Sequence, residues 1–463
     1  MSSDRYAAWI EEQIDDHRPS EDHAALYRLA TSCEALAAEQ GLVFGMGYPT
    51  GLVRREELLA KALDVLREWV PRLGDGAMHQ LGEIVRRANL PIELGARKAE
   101  LVARRQPAID ARFSHLERAI ADDPEDLTAF AVLADALQRD GDPRGELIAL
   151  QVAAETDATK VSHAERYLDA HRAQLLGPLA EVPAAAYTWR RGYVHRVRLR
   201  DEMLDSEGLE HLLEHPAGRF LHEVAAGVIG SPGDGLDHVI HVLGTTGAPS
   251  LRVLQLGDFE YPDESEMSWF VVGDIDPLWP GVPRLRHLIT QGNVTATTIE
   301  HPALERLEVR TGGLPRAAAR AIATARLPRL AYLDVWYGDS GYGAEATLDD
   351  VGPLLARRDL PALRHLGLRN CEFSDAIVDA LPRSALLPQL ETLDLSLGTL
   401  SDAGARALLA HADAFRHLTR IDVSRSWLGS DAITALRAIG PTIVADEQRA
   451  DGTDDARYVA VGE

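Results

Sequence analysis

From Val194 to Val423 one arrangement returns: an apolar residue, two variable ones, an apolar residue, one variable, then a further apolar or small residue. The copies are Val194–Leu199, Leu221–Ala226, Leu251–Leu256, Leu285–Thr290, Leu304–Val309, Leu330–Val335, Leu363–Leu368, Leu390–Leu395 and Leu418–Val423. Their starts lie 26 to 34 residues apart, save one step of 19. The alternation at the end of each copy predicts a short strand with one face inward. Intervening stretches such as Ser401–Leu409 predict helices, so each unit reads strand, loop, helix. One such unit has a single apolar edge that it cannot bury alone, and only stacking of neighbours supplies a core.

Upstream the period changes. In Arg54–Leu66, the residues Leu58, Leu59, Leu63 and Leu66 share one helical face. Breaks at Arg18–Ser20, Gly41–Gly51, Pro71–Gly76 and Pro91 predict four or five helices before residue 110. A second helical stretch follows, in which Asp123-Pro124 and Asp142-Pro143 are expected to cap and open two helices, with Gly141 in the turn between them. The predicted organisation is a helical region at 1–110, a helical domain at 111–190, a repeat array at 191–445 and an acidic tail at 446–463. That tail, with Asp446, Glu447, Asp451, Asp454 and Asp455, is expected to be solvated. A last strand or docking peptide at Tyr458–Val461 is the lesser alternative.

The spacing and the strand–loop–helix order resemble the leucine-rich repeat, in its ribonuclease-inhibitor-like form. The resemblance implies an α/β solenoid, a horseshoe with a parallel sheet and outer helices, here preceded by an all-α region. Gly141-Asp142-Pro143-Arg144-Gly145-Glu146 and the later Trp189–Val194 resemble the short helical repeat-companion domain found beside bacterial repeat arrays. Tyr332–Trp336, Leu363–Asn370, Leu393–Asp402 and Arg457–Glu463 resemble an uncharacterised bacterial leucine-rich-repeat family, which carries no established activity.

Within each strand the variable positions face outward. The middle one reads Arg198, Ala225, Gln255, Ile289, Glu308, Asp334, Gly367, Asp394 and Asp422. The next outward one reads Arg200, Gly227, Gly257, Gln291, Arg310, Trp336, Arg369, Ser396 and Ser424. An acidic row, aromatic residues and arginines coincide there, the composition of protein-interface hot spots. The glycine- and tyrosine-rich stretch Tyr337–Gly343 lengthens one step to 33 residues, and a long loop on a rigid scaffold is a place for binding. The expected partner contacts are therefore Glu308, Arg310, Tyr332, Asp334, Trp336, Tyr337, Tyr342, Arg369, Asp394 and Asp422.

Composition narrows the function. The 463 residues carry a net charge of −24, which argues against a nucleic-acid or anionic-membrane binder and suits a protein partner with a basic surface. The two cysteines, Cys33 and Cys371, make no disulfide framework; with neither a secretory start nor a long apolar run, a cytoplasmic setting is expected. Cys371 reads as core. No cofactor or metal is expected: His195, His222, His287, His365 and His417 are scattered, and Asp140, Asp142 and Glu146 lack the spacing of a calcium loop. Gly45–Gly51 lacks the Lys-Ser/Thr of a phosphate loop. Gly338-Asp339-Ser340-Gly341 mimics a serine-protease nucleophile turn without the histidine base that chemistry needs. The expectation is a non-catalytic protein-binding scaffold or adaptor. The alternatives are an inhibitor or immunity protein that masks a basic enzyme, and a substrate-selecting array attached to an unrecognised enzyme in residues 1–110.

Overall fold

The computed structural model describes residues 114–463, apart from 202, 230–234 and 450–456. The chain divides into two compact units, residues 1–105 and 106–463. The predicted helices before residue 110, and the turn expected at Gly45–Gly51, lie outside the described residues. Four helices open the described part: α1 (Ser114–Asp122), α2 (Leu127–Arg139), α3 (Pro143–Thr156) and α4 (Val161–Leu176). Asp142 caps α3 as expected, its carboxylate accepting from the Arg144 N–H at 2.9 Å with Pro143 next in line. The cap of α2 is Asp126, not Asp123. Asp126 accepts from the Thr128 and Ala129 N–H groups, and Asp123 closes the preceding turn on Glu125. Gly145 is where α2 and α3 touch backbone to backbone: a Cβ there would stand 2.6 Å from the Ala134 oxygen.

The segment Trp189–Val194 is a hairpin that joins these helices to the sheet. Strand β1 (Tyr187–Arg190) runs antiparallel to β2 (Tyr193–Leu199), and Arg191 and Gly192 take φ of 49° and 81° as a two-residue hairpin turn requires. Arg191 is only 3% exposed. Its guanidinium donates to Glu155 at 2.7 Å, to Glu125 at 2.9 Å and to the Pro124 carbonyl, and lies over the Phe130 ring. The helix starts at Leu127, just after the Asp126 cap, and Pro124 lies in the turn before it. One arginine thus fastens the start of α2, the end of α3 and the first edge of the sheet.

The remaining strands are β3 (Glu223–Ala226), β4 (Val253–Leu256), β5 (Val271–Asp274), β6 (His287–Gln291), β7 (Asn293–Thr295), β8 (Arg306–Arg310), β9 (Tyr332–Gly338), β10 (His365–Cys371), β11 (Thr392–Asp394), β12 (Arg420–Asp422) and β13 (Thr442–Val444). Among the described residues, eleven of the thirteen form one sheet, ordered β1-β2-β3-β4-β6-β8-β9-β10-β11-β12-β13 and parallel from β2 onward. All nine predicted strands are in it, in chain order. In register across them stand Val197, Val224, Leu254, Leu288, Leu307, Leu333, Leu366, Leu393 and Ile421, each at most 1% exposed. The sequence reading missed a tenth parallel strand, β13, whose copy opens on Gly440 instead of an apolar residue. It also missed β5 and β7, which pair as a separate two-stranded ribbon among the irregular early repeats.

Helices follow the strands on the other side of the core: α5 (Ser206–Glu214), α6 (Asp237–Thr245), α7 (Arg316–Thr324), α8 (Leu348–Leu355), α9 (Ser374–Ala380), α10 (Asp402–Ala410), α11 (Ala412–Phe415) and α12 (Ser430–Leu436). One repeat substitutes the short turn Asp276–Gly281, which closes against α6 so tightly that a Cβ on Gly281 would stand 1.8 Å from the Leu243 oxygen.

Residues 457–463 pack against the loops that follow the strands. Val459 and Val461 are 4% and 1% exposed. The Asn370 side-chain amide exchanges two hydrogen bonds with the Val461 backbone, at 3.0 and 2.5 Å. The Ala460 N–H donates to the Leu397 carbonyl at 2.7 Å. Solvation, expected for the whole tail, does not describe Val459 and Val461, while Tyr458 before them and Glu463 after them stay exposed.

Leu393→Ala removes one rung of the inward ladder and leaves a cavity between repeats. The expected loss is about 2–5 kcal/mol of unfolding free energy in urea, whereas a loss under about 1 kcal/mol would show that the repeats do not depend on this ladder.

Candidate protein-binding face

Strands in a parallel sheet lie about 4.8 Å apart, so outward side chains at one register position form a row along the array. Three such rows exist. The one not anticipated from sequence precedes the other two in each strand and runs His287, Arg306, Tyr332, His365, Thr392 and Arg420. Its central members stack. The Arg306 guanidinium lies 3.6 Å from the Tyr332 ring centroid, and the Tyr332 ring lies 3.9 Å from that of His365 at an interplanar angle of 6°. His365 Nδ1 then meets the Thr392 hydroxyl at 2.7 Å. The signal for this row lies two residues before each middle position, a place where the sequence singles out Tyr332 but leaves the histidines scattered.

Beneath and beside the stack lie the acids. Glu308 is 3% exposed and accepts from Arg306 at 2.6 Å, from Arg310 at 2.5 Å and from His287 Nε2 at 2.9 Å. Burial alone pushes its carboxyl up, but His287, Arg306 and Arg310 together outweigh it and hold the group well below the usual carboxylate range. Asp334, 2% exposed, accepts from Arg369 at 3.1 Å, and the same guanidinium reaches Asp394 at 3.4 Å and the Ser396 hydroxyl at 2.9 Å. Burial raises both Asp334 and Asp394, with Arg369 opposing. Arg369 also lies 5.0 Å from the Trp336 ring. Asp422 stands further along the array, where burial is outweighed by the Ser424 N–H and Arg420, so its carboxyl titrates low.

The predicted site residues therefore divide. Glu308, Arg310, Tyr332, Asp334, Trp336, Arg369 and Asp394 come together on β8 to β11. Tyr337 does not join them: as the next residue in the strand it faces inward, 3% exposed, against Phe373. Tyr342 sits on the following loop, 41% exposed, its hydroxyl pushed up chiefly by the neighbouring Glu463. In that loop Ser340 donates to Glu372 at 3.0 Å and Asp339 accepts from the Gly341 N–H. The expected acidic row is matched by arginines from its own and neighbouring strands. Closer to the hairpin, Arg198 pairs with Asp258, and Arg200 with Glu264 at 2.6 Å. These pairs cross the small residues Ala225 and Gly227. Cys371 is buried as expected, its thiol pushed up by burial.

A family model described as a leucine-rich repeat matches residues 388–409, the stretch that carries β11 and most of α10. The fold is a leucine-rich-repeat solenoid. Among solved structures, the chain is similar to a Bacteroides fragilis protein at 24% identity and a TM-score of 0.49, over 65% of this chain and 85% of that one. It is also similar to an internalin of Listeria monocytogenes at 12% identity and a TM-score of 0.24, over 56% and 87%. No curated protein matches. Among the described residues, no group of His, Cys, Asp and Glu is placed to hold a metal ion, and no helix is long and apolar enough to cross a membrane.

Three polar atoms on this face, Asp334 Oδ1, Trp336 Nε1 and His365 Nε2, are buried without a hydrogen-bond partner. Each such atom costs about 1–3 kcal/mol, a penalty that falls on two adjacent strands, β9 and β10.

His365 is held neutral, chiefly by burial, with Asp394 opposing and Arg306 and Arg369 reinforcing, and its pKa falls from 6.5 to about 4. An unfolded chain takes up that proton near the ordinary value and the folded one only near the lowered value. Stability is therefore lost as pH falls between the two. In His365→Gln the change in urea midpoint between about pH 7 and about pH 5 should shrink relative to the parent; an unaltered pH slope would refute it.

Proposed function

We propose that this chain is a non-catalytic protein-binding scaffold that holds a protein partner on the outward face of β8 to β11, around Tyr332 and Trp336. What supports the reading best is the rigidity of the aromatic–arginine patch. Tyr332 is clamped between Arg306 and His365, and Trp336 lies beside an Arg369 that Asp334 and Ser396 hold in place. Aromatic and arginine side chains fixed before binding lose little conformational entropy when a partner arrives.

Internal ion pairing bears on the choice between readings. An inhibitor that masks a basic enzyme relies on uncompensated acid, and Glu308 and Asp334 already share their charge with arginines. The aromatic contact is therefore favoured over a charge-driven one. Within the same proposal, residues 111–190 act as a repeat-companion domain, the array takes the ribonuclease-inhibitor-like form, and the setting is the bacterial cytoplasm. Residues 1–110 are assigned no catalytic role.

The test is affinity purification from the native host with the intact chain and with a Tyr332→Ala, Trp336→Ala double variant, both checked for unchanged circular dichroism. At least one specific partner should be retained by the parent and weakened by about 30-fold or more, the equivalent of about 2 kcal/mol at a hot spot. Identical recovery of every bound protein would remove this face from consideration.

A further inference from the structure

A second recognition surface lies away from the strand face, along the loops that follow β8 to β12, and the chain already fills it. Residues 457–463 cross several repeats in turn. Tyr458 packs on Trp427, with ring centroids 5.3 Å apart, and its carbonyl accepts from Trp427 Nε1 at 3.1 Å. Arg457 donates to the Thr399 carbonyl at 2.8 Å and to the Asp375 carboxylate at 3.1 Å. The Ala460 N–H reaches Leu397, and Val461 is read by Asn370 on both its N–H and its C=O. Gly462 arrives against Gly312, where a Cβ would stand 1.9 Å from the Gly462 oxygen.

The chemistry of these contacts is that of peptide recognition. Main-chain groups of an extended segment are satisfied by one side-chain amide and one loop carbonyl, and alternate side chains, Val459 and Val461, enter apolar positions. Specificity comes from those two valines and from the arginine two residues before the first of them. The acceptors stand ready for the segment: Asn370 and Leu397 bend left-handed, with φ of 50° and 69°, at the ends of successive repeats. Strand β13 completes the sheet without these residues. The intervening residues 450–456 contribute three aspartates and no large apolar side chain, so nothing in their composition anchors the segment.

We propose that this loop-edge groove is a peptide-binding site, occupied in cis by residues 457–463, and that it accepts in trans an extended segment of a partner protein with the pattern Arg-x-Val-x-Val. Displacement of the chain's own segment then couples partner binding to release of its C-terminal residues. The groove does not depend on the strand face, so the two surfaces can be tested separately.

The experiment uses the full chain and the synthetic heptapeptide Arg-Tyr-Val-Ala-Val-Gly-Glu. Hydrogen exchange of the intact protein should show the Ala460 and Val461 amides protected. An excess of the heptapeptide should then speed their exchange at least tenfold, while the same peptide with both valines replaced by aspartate should not. The same acceleration in the Tyr332→Ala, Trp336→Ala variant separates this site from the strand face. Amides already unprotected in the intact chain, or protection that neither peptide alters, would overturn the proposal. So would a concentration-dependent dimer whose protection survives the peptide, because the occupant would then be a second copy.

Discussion

One inward ladder, from Val197 to Ile421, constrains everything else. Its rungs are single aliphatic side chains in register on successive parallel strands, almost wholly removed from water. No repeat has a core without its neighbours, so burial is cooperative along the array. The ladder also decides what faces out, because alternation along each strand leaves no freedom once the inward residue is chosen. Tyr337 shows how strict this is: one residue after Trp336, and therefore in the core.

The same constraint makes the outward face possible. Flat groups placed at one register position come within stacking distance because the strands do, and Arg306, Tyr332 and His365 occupy such positions on three consecutive strands. The acids then serve as the floor. Glu308 gathers Arg306 and Arg310 from its own strand and His287 from the preceding strand β6, while Asp334 and Asp394 share Arg369. Buried carboxylates would be untenable without those donors, and the donors would swing freely without the carboxylates.

How much of this was legible in the sequence follows from what is local and what is not. The strands were legible because their apolar positions recur in six residues, and Asp142-Pro143 because a helix start is written in adjacent residues. The choice of Asp126 over Asp123 was not, since both aspartates stand in one short stretch and only the fold shows which carboxylate meets the first N–H groups of α2. Strand β13 escaped because Gly440 stands where the pattern asks for an apolar residue. The Arg306–Tyr332–His365 stack escaped for another reason: its members share a row but no residue type, so only the register brings them together. The seat of residues 457–463 depends on Asn370 and Leu397, ordinary strand-end residues until a segment from elsewhere in the chain meets them.

The arginine-rich composition acquires a meaning in this fold that composition alone cannot supply. Arg306 on Tyr332, Arg369 beside Trp336, Arg191 over Phe130 and Arg449 over Trp427 each combine stacking with donation from the same planar group. A lysine ammonium is a point charge and cannot do both at once. The acidic surplus of −24, by contrast, is not concentrated on the strand face, where the acids are paired. Net charge therefore bears on solubility and on which partners are repelled at a distance, whereas the outward face of β8 to β11 presents aromatic and arginine side chains beside acids whose charge is already paired.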